Sequence, residues 1–291
     1  MRVLRTAGEM ESWLGGLGWA SSGGPVVVPT MGALHHGHAS LVERGAAIAR
    51  ARGTRAGCVV WVFVNPTQFN DRTDLARYPR TLESDVGLSE RCGAAAVFAP
   101  DAEVVYPSGF EIGVPALPAV ATEPGLEDRF RPGHFAGVCQ VVNRFFGLMR
   151  PSVAIFGEKD WQQLQVVRAM VAQEGLDVEI CPSPTVRDSD GLAMSSRNRF
   201  LDGADREKAL SLHSALVAAS RAESVGDAEH AMRDVLGARG VEVEYAVVRR
   251  AETLKPEEPG KRREAGGSRA LIAARVGGVR LIDNCDWLSG P

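Results

Sequence analysis

Several things are scarce in this chain of 291 residues, and each scarcity removes a class of protein. There are only five cysteines, Cys58, Cys92, Cys139, Cys181 and Cys285, an odd number with no C-x-x-C pair. Neither a disulfide framework nor a zinc ribbon is expected, and the thiols read as small buried hydrophobes in a reducing compartment. Basic residues are not in excess: 33 Lys and Arg stand against 36 Asp and Glu, giving a net charge of -3. That balance cannot neutralise a long phosphate backbone, so no nucleic-acid partner is expected. Long apolar runs are missing too. The strongest, Cys58 to Val64, is far too short to cross a bilayer, so no membrane partner is expected. The opening residues mix Arg2 and Arg5 with Glu9 and Glu11 before any apolar stretch develops, which is wrong for a secretory signal and points to the cytoplasm. No G-x-x-x-x-G-K-[ST] and no H-E-x-x-H occurs, and Gly16-Leu17-Gly18 precedes the first predicted strand instead of following it. Any nucleotide must therefore be held by something other than the usual glycine-rich loops.

What is present is a rhythm. Short β-branched runs alternate with helical patterns through the first 180 residues: Val26 to Val28, a helix from about His38 to Arg52, then Val59 to Val64. A helix near Leu82 to Cys92, a strand Ala95 to Ala99, a helix from about Phe135 to Met149 and a strand Val153 to Phe156 follow. Trp161 to Glu174 and Val178 to Cys181 complete the series. This predicts an α/β fold, a doubly wound, Rossmann-like parallel sheet over residues 1–185. After Pro182-Ser183-Pro184 the pattern changes to helices at about Ala204 to Ala222 and Ala228 to Ala238. Strands Val241 to Val248, Ala270 to Val276 and Val279 to Ile282 come next. Residues 186–291 are thus expected to form a smaller α+β domain. The polar stretch Lys255 to Gly267, with its Lys261-Arg262-Arg263 triplet, reads as a solvated loop.

Ligands of open α/β sheets gather at the carboxyl ends of the strands. Val26 to Val28 runs straight into Pro29-Thr30-Met31-Gly32-Ala33-Leu34-His35-His36-Gly37-His38 and then a helix. Unpaired amides at a helix start, with imidazoles three residues apart on one face, suit a phosphate. A capping histidine and a metal site are the alternatives, the metal being the weakest because no further His/Cys ligands follow at a suitable spacing. Phe156-Gly157-Glu158-Lys159-Asp160 offers a cation and two carboxylates at another strand end: Lys159 for phosphate and Asp160 for a ribose hydroxyl, or else acids that merely complement a helix dipole. Met194-Ser195-Ser196-Arg197-Asn198, in a segment without clear periodicity, offers hydroxyls and a guanidinium to a polyphosphate under a mobile element. Its alternative is a polar turn.

Taken together, PTMGALHHGH (29 to 38), FVNPTQF (63 to 69), YPR (78 to 80), RPGHFAGV (131 to 138), FGEKDWQQL (156 to 164) and PTVRDSDGLAMSSRNRFL (184 to 201) resemble the pantothenate synthetase family of the nucleotidyltransferase superfamily. The resemblance spans nearly the whole chain. It implies condensation of (R)-pantoate with β-alanine, with ATP as substrate cleaved to AMP and pyrophosphate through a pantoyl-adenylate, in a homodimer that uses Mg2+. It further implies that Met31, Gly32, Ala33, Leu34, His35, His36, Gly37 and His38 belong to the ATP site, with His38 as proton donor and His36 at a variable, exposed position. Gly157, Glu158, Lys159, Asp160, Val186, Met194, Ser195, Ser196 and Arg197 complete that site. His38, His35 and Lys159 are the implied catalytic groups. Gln68 and Gln163 match pantoate-binding glutamines, and Asp85 is the candidate near magnesium. Val138, Val141, Val142 and Phe145 form a helical stripe, part of which would touch the methyl groups of pantoate or else simply fill the core. A transferase acting on a phosphorylated acceptor fits the glutamine pair poorly, and a silent nucleotide-binding module fits intact His35, His38 and Lys159 poorly.

Overall fold

The computed structural model describes all residues except 20–22, 71, 110 and 263–266, so Arg263 of the basic triplet lies outside the described residues. β1 (Arg2–Leu4) and α1 (Ala7–Gly16) open the chain and were not foreseen, because a three-residue edge strand that buries only Leu4 needs no apolar run. Gly16-Leu17-Gly18 is consequently the end of α1, behind a strand after all but not feeding a phosphate loop. β2 (Val26–Thr30), α2 (His36–Arg52), β3 (Cys58–Val62), α3 (Arg72–Arg77), α4 (Leu82–Arg91), β4 (Ala96–Phe98) and α5 (Ala102–Val105) follow. α6 (Glu127–Phe130), α7 (His134–Met149), β5 (Val153–Gly157), α8 (Trp161–Gln173) and β6 (Glu179–Ser183) end the first sheet.

All the described pairings in this sheet are parallel, in the order β1-β4-β3-β2-β5-β6. Helices cover both faces, which is why Val26, Val27, Val28, Val59, Val60, Val153 and Ile155 are buried in continuous runs instead of alternating with polar residues. β2 lies between β3 and β5, so the chain winds outward in both directions from the β2–β5 neighbourhood. The ends of those two strands, Thr30 and Gly157, open the crevice where ligands of such sheets bind.

The remaining elements are α9 (Gly203–Ala219), α10 (Val225–Gly237), β7 (Glu242–Arg250), β8 (Ser268–Val276) and β9 (Val279–Asp286). The last three form an antiparallel sheet in the order β7-β8-β9. One face packs on α9 and α10 through Ala270, Ile272, Leu212, Leu216 and Met232. The other turns toward the first lobe, where Leu271 and Val247 join the core that holds Phe135, Phe145 and Leu164. A central strand buried on both sides explains the unbroken apolar reading of β8. β9 runs four residues beyond the apolar pattern that locates it, because Asp283 and Asn284 are buried although polar.

Candidate active site

The β2–α2 connection is built to hold two imidazoles against each other. His35 is the N-cap of α2, and its Nδ1 accepts the Gly37 amide at 3.1 Å, while His38 Nδ1 accepts the His35 amide at 3.3 Å. The ring centroids are 4.1 Å apart. A side chain at position 37 would meet the His35 ring, an added Cβ lying 2.9 Å from its Cε1, so glycine is required for this approach. Burial, reinforced by the charge of Lys159, lowers the pKa of His35 to about 4. Burial, then His35 and Lys159, lowers that of His38 to about 3. Both rings are therefore neutral at pH 7. With each Nδ1 accepting a backbone N–H, the one remaining ring proton sits on Nε2, and both residues act as Nε2–H donors.

The helix start itself is less free than its sequence suggests. The Gly37 amide is taken by His35, and the amides of Ala33 and Leu34 donate to the Asp85 carboxylate at 3.1 and 2.8 Å. Thr81 Oγ1 donates to the same carboxylate, and Asp85 is only 1% exposed. Asp85 is thus not placed as a magnesium ligand: it is the anion that a turn with Gly32 at φ +83° and Ala33 at φ +51° folds around. Gly32, Ala33 and Leu34 shape the loop from behind, and His36 is exposed, so these four expected ATP contacts do not line the cleft, whereas Met31, His35, Gly37 and His38 do.

Across the cleft stand Gly157, Lys159 and Asp160 at the end of β5, with Lys159 Nζ 3.9 Å from Asp160. Glu158 turns away and pairs with Arg269 at 3.2 Å, so it too leaves the expected ATP set. Val186, Met194, Ser195, Ser196 and Arg197 form the roof. This segment, expected to be irregular, is a small hairpin: Met194 N–H donates to the Val186 carbonyl and Asp188 N–H to that of Leu192. Ser195 Oγ caps the following turn by accepting the Arg197 amide, and Ser196 Oγ lies 3.4 Å from the Tyr78 hydroxyl.

The deeper end of the same cleft is amide-lined and apolar. Gln68 donates to Met31 Sδ at 2.9 Å and accepts from buried Asn65 at 3.2 Å. Asn65 Nδ2 also donates to the Gly137 carbonyl, and a Cβ at Gly137 would sit 2.5 Å from the Thr67 oxygen, so glycine lets α7 press on the 65–69 loop. Gln163, on the first turn of α8, faces the same space with Val138, Val141 and Val142. Phe145 does not: its ring stacks on Trp61 at 4.4 Å, inside the core. The helical stripe therefore divides between the two readings.

Sequence reasoning passed over Asn65, Tyr78, Arg131 and His134 as individuals, although each lies in a quoted motif and all line the cleft. His134 Nδ1 and Arg131 Nη2 both meet the Gln68 carbonyl oxygen, at 2.9 and 3.5 Å. Arg131 also lies 3.6 Å from Glu127, which Arg280 grips with two hydrogen bonds of 2.7 and 2.8 Å. Burial raises the pKa of Glu127, but the hydrogen bonds and charge of Arg280 outweigh it and hold this carboxylate ionised. Among the described residues no group of three or more His, Cys, Asp or Glu is placed to hold a metal ion, and no helix is long and apolar enough to cross a membrane.

A crevice at the switch point of a doubly wound sheet, with neutral donors, a lysine and hydroxyls at one end and amides and valines at the other, defines a nucleotide-using enzyme with a small polar co-substrate. Comparison with known proteins agrees. Residues 2–286 match the family model described as pantoate-beta-alanine ligase. A pantothenate synthetase of Nocardioides sp. is 46% identical over 272 residues, covering 91% of this chain and 79% of that protein. One from Cereibacter sphaeroides is 46% identical over 97% of this chain and 98% of its own. The crystal structure of pantothenate synthetase from Thermus thermophilus superposes with a TM-score of 0.88 at 40% identity, covering 99% of both chains. That of the pantoate-beta-alanine ligase from Francisella tularensis, complexed with beta-gamma ATP and beta-alanine, gives 0.79 at 29% identity over 100% of this chain and 99% of its own. The chain belongs to the pantoate–β-alanine ligase family and is an ATP-dependent ligase.

Proposed function

We propose that this enzyme condenses (R)-pantoate with β-alanine in two steps within the one cleft. A carboxylate oxygen of pantoate attacks the α-phosphorus of ATP, the bond to the β-phosphate oxygen breaks, and pyrophosphate leaves with the displaced electron pair. The β-alanine amine then attacks the carbonyl of the pantoyl-adenylate, AMP departs, and the amide nitrogen loses a proton. The observation that carries this reading is the convergence of His35, His38, Lys159, Ser195, Ser196, Gln68 and Gln163 on one cavity. Charge accumulates on the departing pyrophosphate, and donors fixed in advance stabilise it more in the transition state than in the ground state. His38 serves that charge through its Nε2–H as a neutral donor, since a group with a pKa of about 3 carries no extra proton at pH 7. Lys159 adds full charge, and Ser195, Ser196 and Arg197 close the other side.

Gln68 and Gln163 hold pantoate without an ion pair, so its carboxylate stays nucleophilic. Gln68 Nε2 gives one hydrogen to Met31 and keeps a second for the substrate. Val138, Val141 and Val142 meet the methyl groups. Gly157 and Asp160 face the ribose and Val186 the adenine. Magnesium would arrive on the nucleotide phosphates, with water completing its shell. In this reading residues 1–185 carry the pantoate site and the histidine and lysine sides of the nucleotide site, and residues 186–291 form the smaller domain that adds Val186, Ser195, Ser196 and Arg197 and shields the mixed anhydride from water. We further place the enzyme in the cytoplasm as a homodimer.

The test is exchange of labelled pyrophosphate into ATP. It is expected to require pantoate and not β-alanine, and Gln68→Ala is expected to raise the KM for pantoate well above any change in that for ATP, because partners in the site are left unmatched. Exchange without pantoate, or equal weakening for both substrates, would contradict the assignment.

A further inference from the structure

Two adjacent residues of the C-terminal sheet hold the lysine wall and the roof of the nucleotide end of the cleft. On β9, the Asn284 amide nitrogen donates to the backbone carbonyls of Lys159 and Glu158, at 2.7 and 3.1 Å. Its Oδ1 accepts from Arg269 Nε at 2.5 Å, and the same guanidinium pairs with Glu158 and lies 3.5 Å above the centroid of the Trp161 ring. The loop from Glu158 to Trp161 is therefore held on its main chain, a carboxylate and an aromatic face. The neighbouring residue, Asp283, takes Arg187 in a two-pronged contact at 2.7 and 3.0 Å, and Arg187 also donates to the Gly191 carbonyl across its hairpin. Arg187 follows Val186 directly, so this grip fixes the roof. Asp283 and Asn284 are each 3% exposed, and Arg269 is 7% exposed. Successive side chains of a strand leave it in opposite directions, which lets one dipeptide reach two separate segments.

We infer that Asn284 and Asp283 are positioning residues for adenylation, Asn284 acting through Lys159 and Asp283 through the Val186 strand, so that β9 sets the width of the nucleotide site. This rests on the reading of Lys159 and Val186 given above. Of the two carbonyls that Asn284 holds, that of Lys159 belongs to the residue whose side chain lines the cleft, and an error of about 1 Å in a charged donor is worth on the order of a hundredfold in rate.

A cycle of Asn284→Ala, Lys159→Ala and the double variant tests it, with pyrophosphate exchange and ATP affinity by calorimetry as readouts. Melting temperature serves as the control for folding. Asn284→Ala is expected to slow exchange by roughly tenfold in kcat, yet to change it by less than about twofold once Lys159 is alanine, because a residue acting through a partner has nothing left to act on. Asn284→Asp keeps the acceptor for Arg269 while removing the donor, and is expected to behave like alanine; it decides the matter should alanine fold poorly. Asp283→Asn is expected to raise the KM for ATP and to combine additively with Lys159→Ala, since it holds the roof and not the lysine loop. Equal losses from Asn284→Ala in both backgrounds, or none in the wild type, would overturn the inference. If the wild-type chain shows no pantoate-dependent exchange, the proposed reaction fails by itself. The same cycle then rests on ATP affinity, where a loss confined to the Lys159 background supports the positioning role and an additive loss refutes it.

Discussion

The two walls of the proposed nucleotide site are stabilised in opposite ways. The histidine wall is local: within eight residues a strand ends, a helix begins, and His35, Gly37 and His38 satisfy one another. From farther off it is supported by Asp85, some 50 positions along the chain, beneath Ala33 and Leu34. The lysine wall has little of this self-sufficiency. The loop carrying Lys159 takes its hydrogen bonds and stacking from Arg269 and Asn284, more than 100 residues later. A local wall depends on its own segment, whereas a wall assembled from remote strands depends on where the second sheet packs.

Removing the donors should have the largest effect. His38→Ala and Lys159→Ala are each expected to slow pantoyl-adenylate formation by on the order of a hundredfold or more in single turnovers, with folding intact, because each deletes a donor aimed at developing charge. A burst at the wild-type rate in either variant would end that wall's claim to a role in chemistry.

The smaller expectation concerns stability and separates the walls by pH. His35, His38 and His134 titrate near 6.5 when unfolded. Burial lowers all three in the fold, to about 4, 3 and 3, with Lys159 adding to the first, His35 to the second and Arg131 to the third. Above pH 6.5 both states are neutral and nothing changes. As pH falls below 6.5 the unfolded chain takes up protons that the folded chain refuses, so stability declines steadily toward pH 4. Each such histidine contributes a slope of up to about 1.4 kcal/mol per pH unit. Urea titrations between pH 7.5 and 4.5 should show this decline, and His134→Gln should make it shallower. A midpoint that holds constant over that range would refute the buried neutral state.

The same contrast explains what the sequence made legible. Val26 to Val28 followed by PTMGALHHGH reads plainly because strand, turn, cap and helix are consecutive, and the paired imidazoles follow from a spacing of three. FVNPTQF yields Gln68 by resemblance but not why Gln68 is held: Asn65, which bonds its side chain, is itself tied to the Gly137 carbonyl, and His134 meets the Gln68 backbone carbonyl, only once α7 folds against that loop. The resemblance places Asp85, in the acidic cluster after YPR, near magnesium. Only the fold shows that two backbone amides and a threonine have already claimed it. Asp283 and Asn284 interrupt the apolar pattern of β9 and so make the strand seem to end at Ile282. What they grip, Arg187 and the Glu158–Lys159 main chain, lies about 100 residues or more away, so the interruption has no local partner in the sequence.

The most direct test of the convergence is a crystal structure of the protein with an unreactive ATP analogue and pantoate. The triphosphate is expected between the Nε2 atoms of His35 and His38 on one side and Lys159, Ser195 and Ser196 on the other, with the pantoate carboxylate beside Gln68 and Gln163 and in line with the α-phosphorus. A triphosphate that touched only one wall, or a pantoate bound away from both glutamines, would contradict it.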